Sequence, residues 1–425
     1  MFKKRDTVCA IEIGTSKICV LLGEVFPDGR LEVIGWGNVP SNGMVVKGEI
    51  CDDGVKELLQ KAIDQADTSS GGYLNHCRQL EILVTGCGIV SQQCPGSCNI
   101  ENDEQTVTEV EVEKAVKNAL FSLESDSEER EIVNYSTTCF SLPGKGTFND
   151  PIGKKGTILS TNVHVVRGTS ARINAFSKAI ADTGFEDIPA EFMFSPFADD
   201  TALLTEEERH QGVLLVNIGA GTTEYLLEYK GGICASGVLQ VGMEHVANDL
   251  SIALNLKIDL CRKLISDGVL AKKRADGKEE IDFQVHGGNI RRIPLTSFET
   301  VIDCRLREIF EYIDEHLKKV NAPRNLDAGG VLTGGGASFY RSQELFSQVF
   351  NLTCSIRRPA DISGVKFGLE DPRYSSIWGA LKIAADRFKE VRHSQTATDS
   401  IIDGLYQMWR NCFNTFGNIK KAVKF

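Results

Sequence analysis

Residues Val216–Tyr225 read VNIGAGTTEY. An apolar run stops at an amide side chain, Asn217. It then passes through Gly219, Ala220, Gly221, Thr222 and Thr223 and resumes as a strand-like run. A turn of such small residues lets the backbone approach a ligand closely. Its N–H groups and hydroxyls can converge on an anion, and phosphate is the usual guest. A strand rather than a helix follows the glycines, which excludes a Rossmann fingerprint and a P-loop.

The same device occurs near the start of the chain. VCAIEIGTSKICVLLGEV (8–25) and VLLVNIGAGTTEYLLEYKGG (213–232) both read apolar strand, Glu or Asn, a hydrophobe, Gly, small residues, and a second strand. Such repetition points to an internal duplication. A single copy on its own reads better as a plain tight turn. Two copies, one in each half, suggest a cleft that grips a polyphosphate from both sides. A third element, LTGGGASFY (332–340), places Gly334, Gly335 and Gly336 in a turn without side chains before a helix. A flat base and its ribose could pack there.

Around these hairpins the pattern is α/β. Strands are expected over 7–39. A helix is expected over 54–67, with an apolar stripe of Val55, Leu58, Leu59, Ala62, Ile63 and Ala66. The block 80–166 differs in character and reads as an inserted α+β module. It runs from the strand LEILVTG through an acidic turn and the helix EVEKAVKNAL to GTILSTNVHVV. Helices dominate 244–320, broken by a polar strand-like piece near 275–293. Residues 391–400 read as a polar linker.

The 425 residues are enough for two or three cored domains. A formal charge of −11 argues against general nucleic-acid binding. The 13 cysteines, an odd number, contain no CxxC pair. The cluster Cys87, Cys94 and Cys98 has no histidine at zinc-like spacing, so reduced thiols are expected. The basic start MFKKRD leads into no clean apolar core, and no signal peptide is expected. No apolar run approaches the roughly 18 residues that a membrane span needs.

The last 25 residues stand apart. Ile401, Leu405, Trp409, Phe413 and Phe416 recur at helical spacing, with Met408, Cys412, Ile419 and Val423. Arg410, Lys420, Lys421 and Lys424 face one acid, Asp403, for a net +3 against an acidic body. A basic amphipathic helix with Trp and Phe on its apolar face suits an anionic lipid surface.

Taken together, EIGTSKICVLLGEV, VNIGAGTTEYLLEY and VLTGGGA resemble the two phosphate loops and the adenosine loop of the actin-like ATPase superfamily. Within it, GWGNVPSNGMVVKGEI, LLTEEERHQGVLLVNIG, VLQVGMEHVANDL and RLREIFEYI resemble the FtsA family of bacterial division proteins over nearly the whole chain. The resemblance implies an actin-like two-domain clamp with an inserted α+β subdomain and a C-terminal amphipathic helix. It divides the chain into 1–79 with 167–197 and 366–390, the insertion 80–166, 198–243 with 326–365, the helical subdomain 244–325, the linker 391–400 and the membrane helix 401–425.

The resemblance also implies ATP and Mg2+ as cofactors. Gly14, Thr15, Ser16 and Lys17 would form the first phosphate loop. Gly219, Ala220, Gly221, Thr222 and Thr223 would form the second. Gly334, Gly335, Gly336 and Ala337 would lie under the adenosine, and Arg262 and Lys263 would reach its ribose or base. Glu12 and Asn217 would organise magnesium through water. They stand where many superfamily members carry two aspartates, which leaves one negative charge at the cleft floor and implies a weaker grip on the ion. No residue to orient an attacking water is evident, so slow or negligible hydrolysis is expected.

As partners, the resemblance implies the C-terminal tail of the tubulin-like protein FtsZ, met by Arg305 and Arg307 in the helical subdomain. It further implies self-association into filaments, other division proteins, an anionic membrane surface and no nucleic acid. The location implied is the inner face of the bacterial plasma membrane. Competing readings are a pilus-assembly or MreB-like scaffold, a small-molecule kinase and a chaperone-type ATPase. The chain shows no motif for a kinase base and leaves no room for a peptide-binding domain. The insertion disfavours an MreB-like protein, and the C-terminal helix disfavours a pilus scaffold.

Overall fold

A computed structural model describes residues 6–396 except 87, 124–128, 182, 186–187, 285–289 and 366–367. The C-terminal amphipathic segment, with Ile401, Leu405, Trp409, Phe413, Phe416, Lys420 and Lys421, lies outside the described residues, as does Cys87.

The first half opens with a meander, β1 (Asp6–Ile13), β2 (Lys17–Val25) and β3 (Leu31–Pro40). A small hairpin follows, β4 (Val45–Val46) and β5 (Glu49–Ile50), then helix α1 (Val55–Ser70) and strand β6 (Cys77–Val84). The buried residues of α1 are Val55, Leu58, Leu59, Ala62, Ile63 and Ala66, the stripe read from the sequence. Each large one contributes about 2 kcal/mol by leaving water. Next come β7 (Val90–Asn99), α2 (Glu109–Phe121), β8 (Arg130–Leu142), β9 (Gly146–Phe148) and β10 (Ile158–Thr169). The half closes with α3 (Ser170–Ile180), β11 (Ala190–Phe194) and α4 (Ser195–Leu203).

The second half repeats the plan. After the short α5 (Glu206–Gln211), a second meander runs through β12 (Val213–Ile218), β13 (Thr223–Tyr229) and β14 (Gly232–Leu239). Helices α6 (Met243–Leu254), α7 (Ile258–Ser266) and α8 (Val269–Ala275) precede the pair β15 (Glu280–Gln284) and β16 (Ile290–Pro294). The 25-residue α9 (Leu295–Lys319) leads to β17 (Gly329–Thr333), α10 (Ser342–Phe350), β18 (Cys354–Ile356) and α11 (Ser375–Thr396).

The two large sheets have the same construction. In the first, the order is β3-β2-β1-β6-β11: an antiparallel meander with β6 and then β11 added in parallel. In the second it is β14-β13-β12-β17-β18, with β17 and β18 parallel to β12. The duplication read from two hairpins therefore extends to whole sheets. β1 is buried on both faces, so its apolar run does not alternate. Cys9, Ile11 and Ile13 pack toward α1 and α3. Val8 and Ala10 pack toward α4 and α11, beside Trp378 and Leu381.

Two boundaries differ from the sequence reading. Residues 80–84 lie in β6, which pairs with β1, so they belong to the first sheet rather than to the insertion. The inserted unit is the antiparallel sheet β7-β10-β8-β9 with α2 packed on it through Ala115, Val116 and Ala119. Helix α11 runs to Thr396, through the first part of the segment read as a linker. No glycine or proline interrupts 380–396, so nothing stops the ladder there. Among the described residues no helix is long and apolar enough to cross a membrane.

Candidate functional site: a cleft between two matched hairpins

The β1–β2 and β12–β13 hairpins close in the same way. Gly14 N donates to Lys17 O at 2.9 Å, and Gly219 N donates to Thr222 O at 2.9 Å. The strands on either side set these turns, with Ile13 opposite Ile18 and Ile218 opposite Thr223. The two turns meet. A Cβ on Gly221 would lie 2.4 Å from Thr15 Oγ1, so only glycine permits this approach. Thr15 Oγ1 also accepts from Gly48 N at 3.1 Å, which brings the β4–β5 hairpin into the junction.

In front of this junction lies a cleft of about 670 Å³. Of the residues expected to bind nucleotide, Gly14, Thr15, Ser16, Lys17, Gly219, Ala220, Gly221 and Thr222 line it. Gly334 and Gly335 form one wall, and Arg262 and Lys263 of α7 face the same space. Thr223, Gly336 and Ala337 are not on its wall. The Thr223 hydroxyl donates to Val241 O at 2.8 Å, and Ala337 is buried in the second core. Gly334 has φ +84°, a left-handed conformation that favours glycine, and a Cβ there would lie 2.2 Å from Asn217 Oδ1. Arg262 is already engaged by Glu244 at 2.8 Å and Asp259 at 3.0 Å.

Glu12 and Asn217 both line the cleft floor. Glu12 is paired with Lys17 at 2.5 Å. Burial opposes the Lys17 charge, but Cys19 and Glu12 outweigh it and raise its pKa above the usual lysine value. Asn217 Nδ2 donates to Asp199 Oδ2 at 2.7 Å and to Ser376 Oγ at 3.1 Å, and Ser376 Oγ donates to Asp199 Oδ1 at 2.8 Å. Asp199 is fully buried. Burial pushes its carboxyl up to about 7 against the pull of those two hydrogen bonds.

A second acid, Asp199, stands one layer behind Asn217 and off the cleft wall. A further acid, Glu224, lines the cleft and is buried. Burial and the neighbouring Asp199 push it up to about 8, while the Gly86 N–H and Arg172 pull it back.

Several of these groups are missing from the sequence reading. Asp199 and Ser376 reach Asn217 from 18 and 159 residues away, so no local spacing connects them. α4 and α11 bring them together by crossing very closely, with a Cβ on Gly379 falling 1.8 Å from Ala198 O. Glu224 lies in the second hairpin, and the signal for it is an acid in a strand that is otherwise almost wholly buried.

The arrangement fits a magnesium–polyphosphate ligand. It offers two small-residue turns, a lysine, an amide oxygen turned toward Gly334, and the acids Glu12, Glu224 and Asp199 at and behind the floor. Hard oxygen donors that leave room for water are what magnesium takes.

Arg305 and Arg307 lie on α9 and look to different neighbours. Arg305 holds Asp249 of α6 at 2.7 and 3.0 Å and also bonds Glu308. Arg307 Nη2 donates to Gln348 Oε1 of α10 at 2.6 Å.

A family model described as cell division protein FtsA matches residues 214–379, and one described as the SHS2 domain inserted in FtsA matches 86–167. Together they cover more than half of the chain. Curated relatives called cell division protein FtsA include that of Neisseria meningitidis, 26% identical over 90% of this chain and 91% of its own length. Those of Borreliella burgdorferi and Escherichia coli K12 are each 27% identical over 89% of this chain and 90% of their own length.

Among solved structures, a PilM-PilN type IV pilus biogenesis complex matches with a TM-score of 0.59 at 14% identity, over 89% of this chain and 98% of that one. MreB5 of Spiroplasma citri bound to ADP matches with a TM-score of 0.52 at 14% identity, over 92% and 99%. These likenesses bear on fold alone and bear out the actin-like two-domain clamp, and the SHS2 match bears out the inserted α+β subdomain. The relatives share nearly full length, the insertion lies where the SHS2 model places it, and the chain belongs to the FtsA family of cell division proteins.

Proposed function

We propose that this protein binds ATP with Mg2+ in the cleft and turns it over slowly if at all. In that state it self-associates and tethers FtsZ filaments to the inner face of the cytoplasmic membrane through residues 401–425. The observation that carries the nucleotide reading is the pair of matched hairpins, each closed by the same backbone bond and both facing one cleft beside the Gly334 turn. The related fold of MreB5, solved with ADP, is consistent with it.

ATP here is a conformational ligand. Lys17, the turn N–H groups and the hydroxyls of Thr15, Ser16 and Thr222 would hold the phosphates. Gly334 and Gly335 would support the nucleoside, with Arg262 and Lys263 opposite. Bound magnesium would neutralise phosphate charge, and Asn217, with Glu12 beside it, is suited to hold its water shell. Glu12 is tied to Lys17 at 2.5 Å, so it is already engaged by a partner within the site.

For the FtsZ tail, Arg307 is the better placed of the two arginines, because Arg305 already braces α9 against α6. The membrane part rests on the stripe and charge of 401–425. Co-sedimentation with FtsZ filaments and anionic vesicles tests the adaptor role. The full chain should carry FtsZ to the vesicles, and a chain lacking 401–425 should not. Equal recruitment by both would remove the tether. Phosphate release faster than about 1 per second, an ordinary kinase rate, would remove the slow-hydrolysis reading.

A further inference from the structure

A buried acid with no ion pair among the described residues needs a reason, because stripping an acidic group of water is costly unless its partners compensate. Asp199 on α4 is such a group. Its exposure is 0%. Each of its oxygens accepts one hydrogen bond, from Asn217 Nδ2 and from Ser376 Oγ. Both donors line the cleft floor, and Asp199 itself does not.

This arrangement fixes the Asn217 side chain. A carboxamide can turn over, exchanging its oxygen and nitrogen, wherever both ends find acceptable partners. Here a turned carboxamide would replace the bond from Nδ2 with an oxygen–oxygen contact to Asp199 Oδ2, which the ionised acid cannot bridge. Oδ1 is therefore held on the other side, next to Gly334, whose lack of a side chain leaves it open to the cleft. The bond also crosses between the halves: Asn217 is on β12 of the second, while Asp199 and Ser376 are on α4 and α11, which pack on the first.

We propose that Asp199 is a positioning residue for the divalent cation of the bound nucleotide: through its hydrogen bonds to Asn217 and Ser376 it holds the Asn217 amide oxygen toward the cleft. Groups that orient a metal's ligands in this way matter nearly as much as the ligands themselves. The proposal rests on the nucleotide reading above. A merely structural Asp199 would affect stability and would leave the magnesium dependence of binding untouched.

The test measures ATP affinity of the full chain by calorimetry, once in EDTA and once with magnesium chloride. In Asp199→Asn the gain in affinity due to magnesium should fall by about tenfold or more, with metal-free affinity held within about twofold. The exchange variant Asp199→Asn with Asn217→Asp keeps one acid and one amide in contact. It should regain the magnesium effect, and it also serves if Asp199→Asn alone does not fold. An unchanged magnesium gain in Asp199→Asn, an equal loss with and without magnesium, or a folded exchange variant without the gain would each overturn the proposal. Absence of ATP binding by the unmodified chain in both conditions is a different result. It would remove the nucleotide reading, and the proposal with it.

Discussion

Asn217 donates its amide to Asp199 at 2.7 Å, joining the second phosphate-type hairpin to a buried acid on α4. This contact changes what a substitution at 217 means. Asn217→Asp does not restore a missing charge; it places two carboxylates within hydrogen-bond distance of each other, and one must take a proton. The variant should lose about 2 kcal/mol of stability at neutral pH, measured by urea denaturation, and recover part of it on acidification. A variant as stable as the parent would mean that the contact does not form.

Gly334 tests the nucleoside wall. A methyl group at φ +84°, 2.2 Å from Asn217 Oδ1, forces the turn to move. Gly334→Ala should weaken ATP binding by at least about tenfold, equivalent to about 1.4 kcal/mol at the site. Unchanged affinity with a folded protein would place the ligand elsewhere.

Glu224 gives a pH signature. Burial raises its pKa from 4.5 to about 8, so between these values the folded chain holds a proton that the unfolded chain has released. Stability contributed here is complete below the unfolded value and is lost as pH rises toward 8. Glu224→Gln keeps an oxygen to accept the Gly86 N–H and removes the titration. Its stability relative to the parent should rise from about pH 5 to about pH 8 and then level off. Urea denaturation at several pH values reads this directly, and parallel curves for the two proteins would contradict it.

The two arginines of α9 should separate. Arg305→Glu sets a third acid beside Asp249 and Glu308 and should cost about 2 kcal/mol of stability. Arg307→Glu breaks one bond to Gln348 and should change stability by no more than about 0.5 kcal/mol. Binding of the FtsZ tail should fall in the Arg307 variant, measured by fluorescence anisotropy with a tail peptide. Undiminished binding there would move the tail site off this face of α9.

Much of the architecture was legible because it is local. The α1 stripe, the two hairpins and the long α9 are written in period and turn chemistry. The strand LEILV reads from sequence as the start of the insertion, because an apolar run does not name its partner; pairing with β1 puts it in the first sheet. The polar stretch after 390 looked like a linker, yet α11 continues to Thr396 because polar residues without glycine or proline extend a helix readily. At the site, the turns and Glu12 could be read directly. The Asp199–Ser376 support could not, since it depends on α4 and α11 crossing at Ala198 and Gly379.

The central claim is that the two hairpins hold one ATP between them. Calorimetric titration of the full chain with ATP and magnesium tests it most directly, alongside Gly221→Val, which drives a side chain into Thr15 where the hairpins meet. The account predicts saturable binding of one ATP per chain, lost in the variant while the fold persists. Absence of saturable binding, or binding that Gly221→Val leaves unchanged, would contradict it.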